Sequence, residues 1–199
     1  MTRHMTCISF IVVLDLAAAG CAWMGIEDEA KYIAALEPTQ GNSVRGAVTF
    51  QQRGEWVRIS GTVSGLKPGA EHGFHIHETG DCSSGDGMSA GGHFNPGGKP
   101  HGDPGSVERH VGDLPNLKAD ANGQAVLSLE TNLMRLGLPG HDIVDKTVAK
   151  NPCLFKASEG RKCGADIIGK ALIVHRDPDD YKTQPTGNSG PRIACAVIK

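Results

Sequence analysis

The sequence has few aromatic residues and no marked excess of charge of either sign. Aromatic residues make up 5% of the 199 positions, whereas 27 positions are glycine and 11 are proline. This composition is typical of a turn-rich β protein rather than of a helical one. The formal net charge is −2, and the sequence has no basic stripe or polybasic patch. It therefore argues against a nucleic-acid partner and against electrostatic binding to a membrane surface.

The sequence also lacks an N-terminal apolar run that could span a bilayer. The apolar segment at residues 8–14 is far shorter than the roughly 20 residues that a transmembrane helix needs. Arg3 precedes this segment and three alanines follow it, so residues 1–20 are predicted to be a signal peptide. Ala18-Ala19-Gly20 before Cys21 resembles a bacterial lipobox. We expect an exported, periplasmic protein, and a membrane-anchored lipoprotein with a lipid on Cys21 is the alternative.

No two cysteines have the CxxC spacing, which argues against thioredoxin-like chemistry and against a thiolate metal site. Of the six cysteines, Cys7 would leave with the signal peptide and Cys21 would be removed or lipidated. An even number in an exported chain indicates two disulfides, with three possible connectivities. The four remaining cysteines are Cys82, Cys153, Cys163 and Cys195.

Short apolar segments separated by turns organise the chain as one domain at residues 44–199. Alternation and apolar runs predict strands at residues 46–51, 56–63, 125–129, 171–175 and 192–198. Residues 21–43, weakly helical in composition, are predicted to be a tether, and residues around 141–165 an insertion. Between residues 78 and 116 no periodicity persists, and a loop of that length suggests a function. The pattern predicts an all-β Greek-key sandwich or barrel.

His75 and His77 alternate with Phe74 and Ile76 in one predicted strand. Residues two apart on a strand point the same way, roughly 6 to 7 Å apart, so both imidazoles could reach one metal ion. Taken alone, this pair is equally consistent with two structural histidines. Further candidate ligands follow in segments rich in glycine, proline and asparagine, which indicate loops that could wrap an ion. These candidates are His93, His101, His110, Asp113 and, further on, His175.

Four segments together closely resemble the copper,zinc superoxide dismutases. They are GFHIHE at residues 73–78, GHFNP at 92–96, HG at 101–102 with HVGDL at 110–114, and GNSGPRIAC at 187–195. The resemblance covers about residues 44–198, and the position of Cys82 resembles the bacterial exported (periplasmic) branch. It implies a flattened eight-stranded Greek-key β-barrel with long metal-binding and electrostatic loops.

The resemblance also implies two metal ions and an enzymatic reaction. Four histidines would bind copper, namely His75, His77, His93 and His175. A bridging His93 would share the zinc ion with His101, His110 and Asp113. Four imidazoles suit a redox copper, and three imidazoles with one carboxylate suit a closed zinc site. The implied activity is dismutation of superoxide to oxygen and hydrogen peroxide, with His93 carrying a proton and Arg192 attracting the anion.

Further roles follow from the same resemblance. Asp179 would link a copper histidine to a zinc histidine, and Lys182 is a weaker candidate for guiding superoxide. A disulfide between Cys82 and Cys195 would leave Cys153 and Cys163 for each other. The protein could be a monomer or a homodimer. The alternative function is a periplasmic copper or zinc carrier with the same fold, which would need neither Arg192 nor a bridging histidine.

Overall fold

The computed structural model describes residues 31–137 and 165–199, which are built almost entirely of β-strands. The strands are β1 (Lys31–Pro38), β2 (Arg45–Arg53), β3 (Trp56–Ser64), β4 (Glu71–His72), β5 (Phe74–His77), β6 (Leu117–Lys118), β7 (Ala125–Thr131), β8 (Met134–Arg135), β9 (Ala165–Asp166), β10 (Ala171–His175) and β11 (Arg192–Val197). Within these ranges the helical structure is one 3-10 turn at Met88–Ala90. None of the helices there is long and apolar enough to cross a membrane.

Seven strands form one curled antiparallel sheet in the order β5-β10-β11-β1-β2-β3-β7. β4 pairs with β6 in a second, short ladder. β4 continues through Gly73 into β5, and β6 packs against β7, so this ladder lies between the two edges of the large sheet. When β4 and β5 are counted as one interrupted strand, eight strands surround the core. The predicted all-β Greek-key architecture is confirmed.

The core forms because alternate residues of neighbouring strands point inward. In β3, Val57, Ile59 and Val63 are fully buried, while Arg58 and Ser60 lie on the other face. Burial of one large apolar side chain contributes about 1.5–3 kcal/mol. A turn at residues 54–55 joins β2 to β3, and the last residue of β10 is the candidate ligand His175.

The prediction of a tether at residues 21–43 is wrong for the part of it that the structure describes. β1 lies in the middle of the large sheet, paired with β2 on one side and β11 on the other. Ala34 and Leu36 are buried and alternate with exposed Ile33 and Glu37. The alanine, lysine and glutamate content favours a helix by intrinsic propensity, but pairing with two neighbouring strands and burial of the alternate face outweigh that preference.

Several predictions made from the sequence concern residues outside the described ranges. They are the signal peptide at residues 1–20, lipid attachment at Cys21, and nearly all of the insertion around 141–165, with Cys153 and Cys163. They remain predictions.

Candidate metal centre

β5 is a short strand that is buried on both faces. Phe74 and Ile76 belong to the apolar core, whereas His75 and His77 point to the opposite face and are also fully buried. Loop backbone covers the strand, because the Ile76 N–H donates to the Gly112 carbonyl at 3.0 Å and the Ile76 carbonyl accepts from the Phe94 N–H at 2.8 Å. The loop segments that carry His93 and Asp113 are therefore hydrogen-bonded directly to the strand.

These contacts bring His93 and Asp113 to β5. His77 forms an isolated bridge with His93, and His75 forms one with Asp113. The close approach needs a glycine, because a Cβ at Gly112 would lie 2.2 Å from the Ile76 carbonyl oxygen. The HVGDL motif thus supplies two candidate ligands and the small residue that lets Asp113 reach the strand.

The first cluster consists of four buried histidines whose ligand atoms lie within 4.8 Å of one another: His75, His77, His93 and His175. Nδ1 of His77 donates to the Gly91 carbonyl at 2.9 Å, and Nδ1 of His175 donates to the Gly190 carbonyl at 3.0 Å. A carbonyl can only accept, so each Nε2 keeps its lone pair. These two Nε2 atoms are 3.4 Å apart. The pair therefore presents two converging electron donors.

The second cluster combines His93 with His101, His110 and Asp113. The Asp113 Oδ1 lies 2.9 Å from His93 Nδ1, 3.0 Å from His101 Nδ1 and 3.2 Å from His110 Nδ1. A tetrahedral zinc site with bonds of about 2.0 Å has ligand atoms about 3.3 Å apart. The His101 Nδ1 contact has no hydrogen-bond geometry, as expected for a lone pair directed elsewhere. The donor set and its spacing fit a zinc ion.

His93 belongs to both clusters. The two nitrogens of an imidazole point in different directions, so with Nδ1 beside Asp113 the Nε2 atom remains for the first cluster. The His93 Nε2 atom and the His75 Nδ1 atom are both buried without a hydrogen-bond partner. Buried polar atoms are rarely left in this way without a ligand. Two such atoms in one histidine cluster fit a metal ion.

A buried carboxylate that belongs to neither cluster forms hydrogen bonds to one histidine of each. Asp179 accepts from His75 Nε2 at 2.8 Å through one oxygen and from His101 Nε2 at 2.9 Å through the other. The side chain is completely buried. Since the outer nitrogens of both rings are thereby protonated, the Nδ1 atoms of His75 and His101 are free to bind metal.

Arg192 lies at the start of β11, beside the first cluster. Its guanidinium donates to the Gly87 carbonyl at 2.6 Å and to the Gly91 carbonyl at 2.5 Å. The Gly91 carbonyl is the same group that accepts from His77. A disulfide joins Cys82, in the loop that contains both glycines, to Cys195 of β11. The cation is thus held at a fixed position relative to the histidines, whereas Lys182 is exposed.

Comparison with known proteins agrees with this geometry. The family model described as copper/zinc superoxide dismutase (SODC) matches residues 44–151 and 153–198. The chain belongs to the copper/zinc superoxide dismutase family.

Several named relatives support this membership. A copper-zinc superoxide dismutase of Paramecium bursaria Chlorella virus 1 is 38% identical over 197 residues, which cover 96% of this chain and 89% of the viral protein. An extracellular copper-zinc superoxide dismutase of Brugia pahangi is 37% identical, with 87% of this chain and 77% of that protein covered.

Solved structures of similar fold include the clock protein EA4 and a double mutant of a superoxide dismutase-like protein from Bacillus subtilis. The first has a TM-score of 0.65 and 36% identity, and covers 87% of this chain and 96% of that chain. The second has a TM-score of 0.64 and 35% identity, and covers 83% and 95%.

Copper and zinc are the cofactors of the copper/zinc superoxide dismutase family. The protonation states of the buried histidines His93 and His175 suit metal binding. Burial, assisted by neighbouring histidines, lowers the pKa of His93 to about 4 and that of His175 to about 3. Both rings are therefore neutral at pH 7, as metal ligands must be.

His101 behaves differently, because it lies between Asp113 and Asp179. Burial lowers its pKa, but the two neighbouring carboxylates outweigh burial and raise the pKa to about 9. The same contacts hold the pKa of Asp113 and of Asp179 below the usual range, against the opposing effect of burial. Without metal, a proton on His101 balances these carboxylates, and a bound cation would replace that proton.

The contact between Asn116 and Asp179 also belongs to the site and could not be predicted from the sequence. The Asn116 side chain donates to the Asp179 carbonyl at 3.0 Å and accepts from the Asp179 N–H at 2.9 Å. The two residues are 63 positions apart, and an asparagine in a loop has no local pattern that distinguishes this role from a turn.

Proposed function

We propose that the protein dismutates superoxide to oxygen and hydrogen peroxide, with copper and zinc held on either side of His93. Copper would be bound by His75, His77, His93 and His175. Zinc would be bound by His93, His101, His110 and Asp113. The observation that carries the proposal is the membership of His93 in both clusters, with one ring nitrogen available to each.

The two donor sets suit two different ions. Four imidazoles suit copper, which supplies reversible one-electron chemistry. Three imidazoles and a carboxylate suit zinc, which has no redox chemistry. In the overall reaction one superoxide ion loses an electron and becomes oxygen. A second superoxide ion gains that electron and, with two protons, becomes hydrogen peroxide.

The protein residues would bring the anion in and deliver a proton. Arg192 is half-buried and fixed by two carbonyls, so its charge would attract and orient a small anion without prior rearrangement. His93 Nε2 has no protein partner, which makes it the ring atom on which a proton would be carried. Nδ1 stays beside Asp113 at 2.9 Å, so the ring would keep its position while Nε2 changes protonation.

We also propose that the protein works outside the cytoplasm, as a member of the bacterial exported branch. The predicted signal peptide, the Cys82–Cys195 disulfide and the named extracellular relative support this location. Mass spectrometry of the mature N-terminus would test it. A chain beginning near Cys21 supports export, an acyl mass on Cys21 supports anchoring, and an intact Met1 contradicts both.

The enzymatic proposal competes with a metal carrier, and one assay separates them. The purified protein is loaded with one copper and one zinc, and superoxide loss is followed by stopped flow. We expect the loaded protein to remove superoxide faster than the same concentration of chelated copper. A rate no higher than that control would favour the carrier.

A further inference from the structure

The loop between β10 and β11, residues 176–191, contacts the zinc-side cluster through more than Asp179. Gln184 uses both atoms of its side-chain amide on one residue of the cluster. Its Oε1 accepts from the His101 N–H at 2.8 Å, and its Nε2 donates to the His101 carbonyl at 2.8 Å. The side chain therefore fixes the peptide groups on both sides of the His101 Cα.

Tyr181 acts on the same cluster through a different route. Its hydroxyl accepts from the Asn116 N–H at 2.8 Å, and Asn116 in turn holds both backbone polar groups of Asp179. The Tyr181 N–H donates to Asp179 Oδ1 at 2.7 Å. This oxygen is the one that accepts from His101, so Tyr181 and Gln184 converge on His101 from two directions.

His101 needs such support more than His93 and Asp113 do. His93 is bridged to the β5 strand, and Asp113 is bridged to it as well. His101 lies in an irregular loop, with its side chain buried, and its own N–H and carbonyl both bond to Gln184. A ligand on an irregular loop loses conformational freedom when it binds metal, and prior fixing of its backbone removes part of that cost.

We propose that Gln184 and Tyr181 are positioning residues that retain zinc in this site. The inference rests on the proposed assignment of zinc to His93, His101, His110 and Asp113. The side chains touch no ligand atom and act through the backbone of His101 and through Asp179. The copper-side histidines His75 and His175 lie on paired strands, so loss of either contact acts mainly on the zinc side.

The test uses cobalt(II) as a zinc substitute, because four-coordinate cobalt(II) absorbs visible light strongly. The full chain is loaded with copper and cobalt, and cobalt release to excess EDTA is followed by absorption. Gln184→Met removes both hydrogen-bonding atoms at nearly constant side-chain length, and Tyr181→Phe removes only the hydroxyl. Lys182→Ala is the matched control, because its exposed side chain lies between the two positions.

We expect Gln184→Met to release cobalt about tenfold faster than the wild type, since loss of a residue that orients a ligand costs 10–100-fold in metal affinity. Tyr181→Phe should accelerate release by a smaller factor. The copper absorption band and the unfolding midpoint of the metal-free variants should stay close to wild type, as should cobalt release from Lys182→Ala.

Three results would count against the inference, and they differ in meaning. Wild-type release rates in both Gln184→Met and Tyr181→Phe would overturn the positioning role but leave the zinc assignment intact. Absence of a four-coordinate cobalt spectrum in the wild type would overturn the zinc assignment, and the inference with it. A general loss of stability, with copper and cobalt released equally faster, would also reject a specific positioning role.

Discussion

Individual histidines in the buried clusters experience opposite electrostatic environments. His93 and His175 have pKa values lowered to about 4 and about 3, mainly by burial, whereas the two carboxylates raise the pKa of His101 to about 9. In the unfolded chain all three titrate near 6.5. Each residue therefore links folding to proton binding, with a sign that depends on the direction of its shift.

The metal-free protein should lose stability on both sides of about pH 6.5. Below that pH His93 and His175 are protonated in the unfolded chain but remain neutral in the folded chain. The free energy of unfolding therefore falls by up to about 1.4 kcal/mol per pH unit for each group. Above it, the contribution of His101 is lost as pH rises toward its folded value of about 9. Urea unfolding of metal-free protein should show lower midpoints at pH 5 and pH 8.5 than at pH 6.5. Equal midpoints would contradict the assigned environments.

Asp179 provides a second prediction for a single residue. Asparagine at this position would keep one acceptor but would place an N–H₂ group against a ring N–H of His75 or His101. We expect Asp179→Asn to bind zinc about 10–100-fold more weakly, as measured by competition with a chromophoric chelator. Asp180→Asn, a change of the neighbouring exposed acid, should bind zinc as the wild type does. Equal weakening in both variants would argue against the link.

Most of the candidate ligands could be predicted from the sequence, because each of them lies in a recognisable motif. The alternation of His75 and His77 with apolar residues is visible locally, and the other ligand candidates fall in recognisable motifs. The contacts of Asn116 and Gln184 are not visible in this way, because their partners are 63 and 83 positions away in the chain. Amide side chains in loops give no local signal of a distant partner.

Glycines in the loops allow the ligand-bearing segments to pack closely. Gly187 and Gly54 both have positive φ, 65° and 59°, so alanine would cost about 1–2 kcal/mol at either position from backbone strain alone. Only Gly187 is also crowded, because its Cβ would lie 1.7 Å from Asp179 Oδ1, whereas at Gly54 nothing lies within 4 Å.

Comparison of two alanine variants separates crowding from strain. Gly187→Ala should lower the free energy of unfolding by more than Gly54→Ala does, and it alone should weaken zinc binding, because Asp179 must move. Urea unfolding and chelator competition measure the two effects. If both variants lower the free energy of unfolding equally and keep the wild-type zinc affinity, the close packing of Gly187 against Asp179 affects neither stability nor zinc binding.

Strand prediction succeeded where alternation was long or the apolar run was clear, and failed for β1. The segments predicted at residues 56–63 and 171–175 correspond to β3 and β10. The alanine, lysine and glutamate residues of β1 favour a helix, and local sequence does not reveal the two strands with which β1 pairs. Its burial is decided by β2 and β11, which lie at opposite ends of the chain.

Across the molecule, the charge distribution should matter for the rate of reaction with an anion. The net charge is −2, so the protein as a whole does not attract superoxide, and the fixed cation at Arg192 must do so locally. Arg192→Gln should lower the rate constant for superoxide loss at low salt about tenfold. Added salt should slow the wild type more than the variant, because screening weakens a local attraction that only the wild type has.

Stopped-flow measurements over a range of salt concentrations test this prediction. Arg176→Gln serves as the control, since Arg176 is exposed and paired with Asp177, outside both metal clusters. The control should have the wild-type rate at low salt. A wild-type rate and salt dependence in Arg192→Gln would show that the guanidinium does not guide the anion.

In the proposed site His93 joins two metal ions through its two ring nitrogens, and magnetic coupling between the ions tests this arrangement. Copper(II) and cobalt(II) are both paramagnetic, and one imidazolate between them couples their spins. Electron paramagnetic resonance of the wild-type protein loaded with copper and cobalt should therefore show a copper signal much weaker than that of the copper,zinc form. His93→Ala should restore the signal. A copper signal of equal intensity in the wild-type copper,cobalt and copper,zinc forms would contradict the bridge.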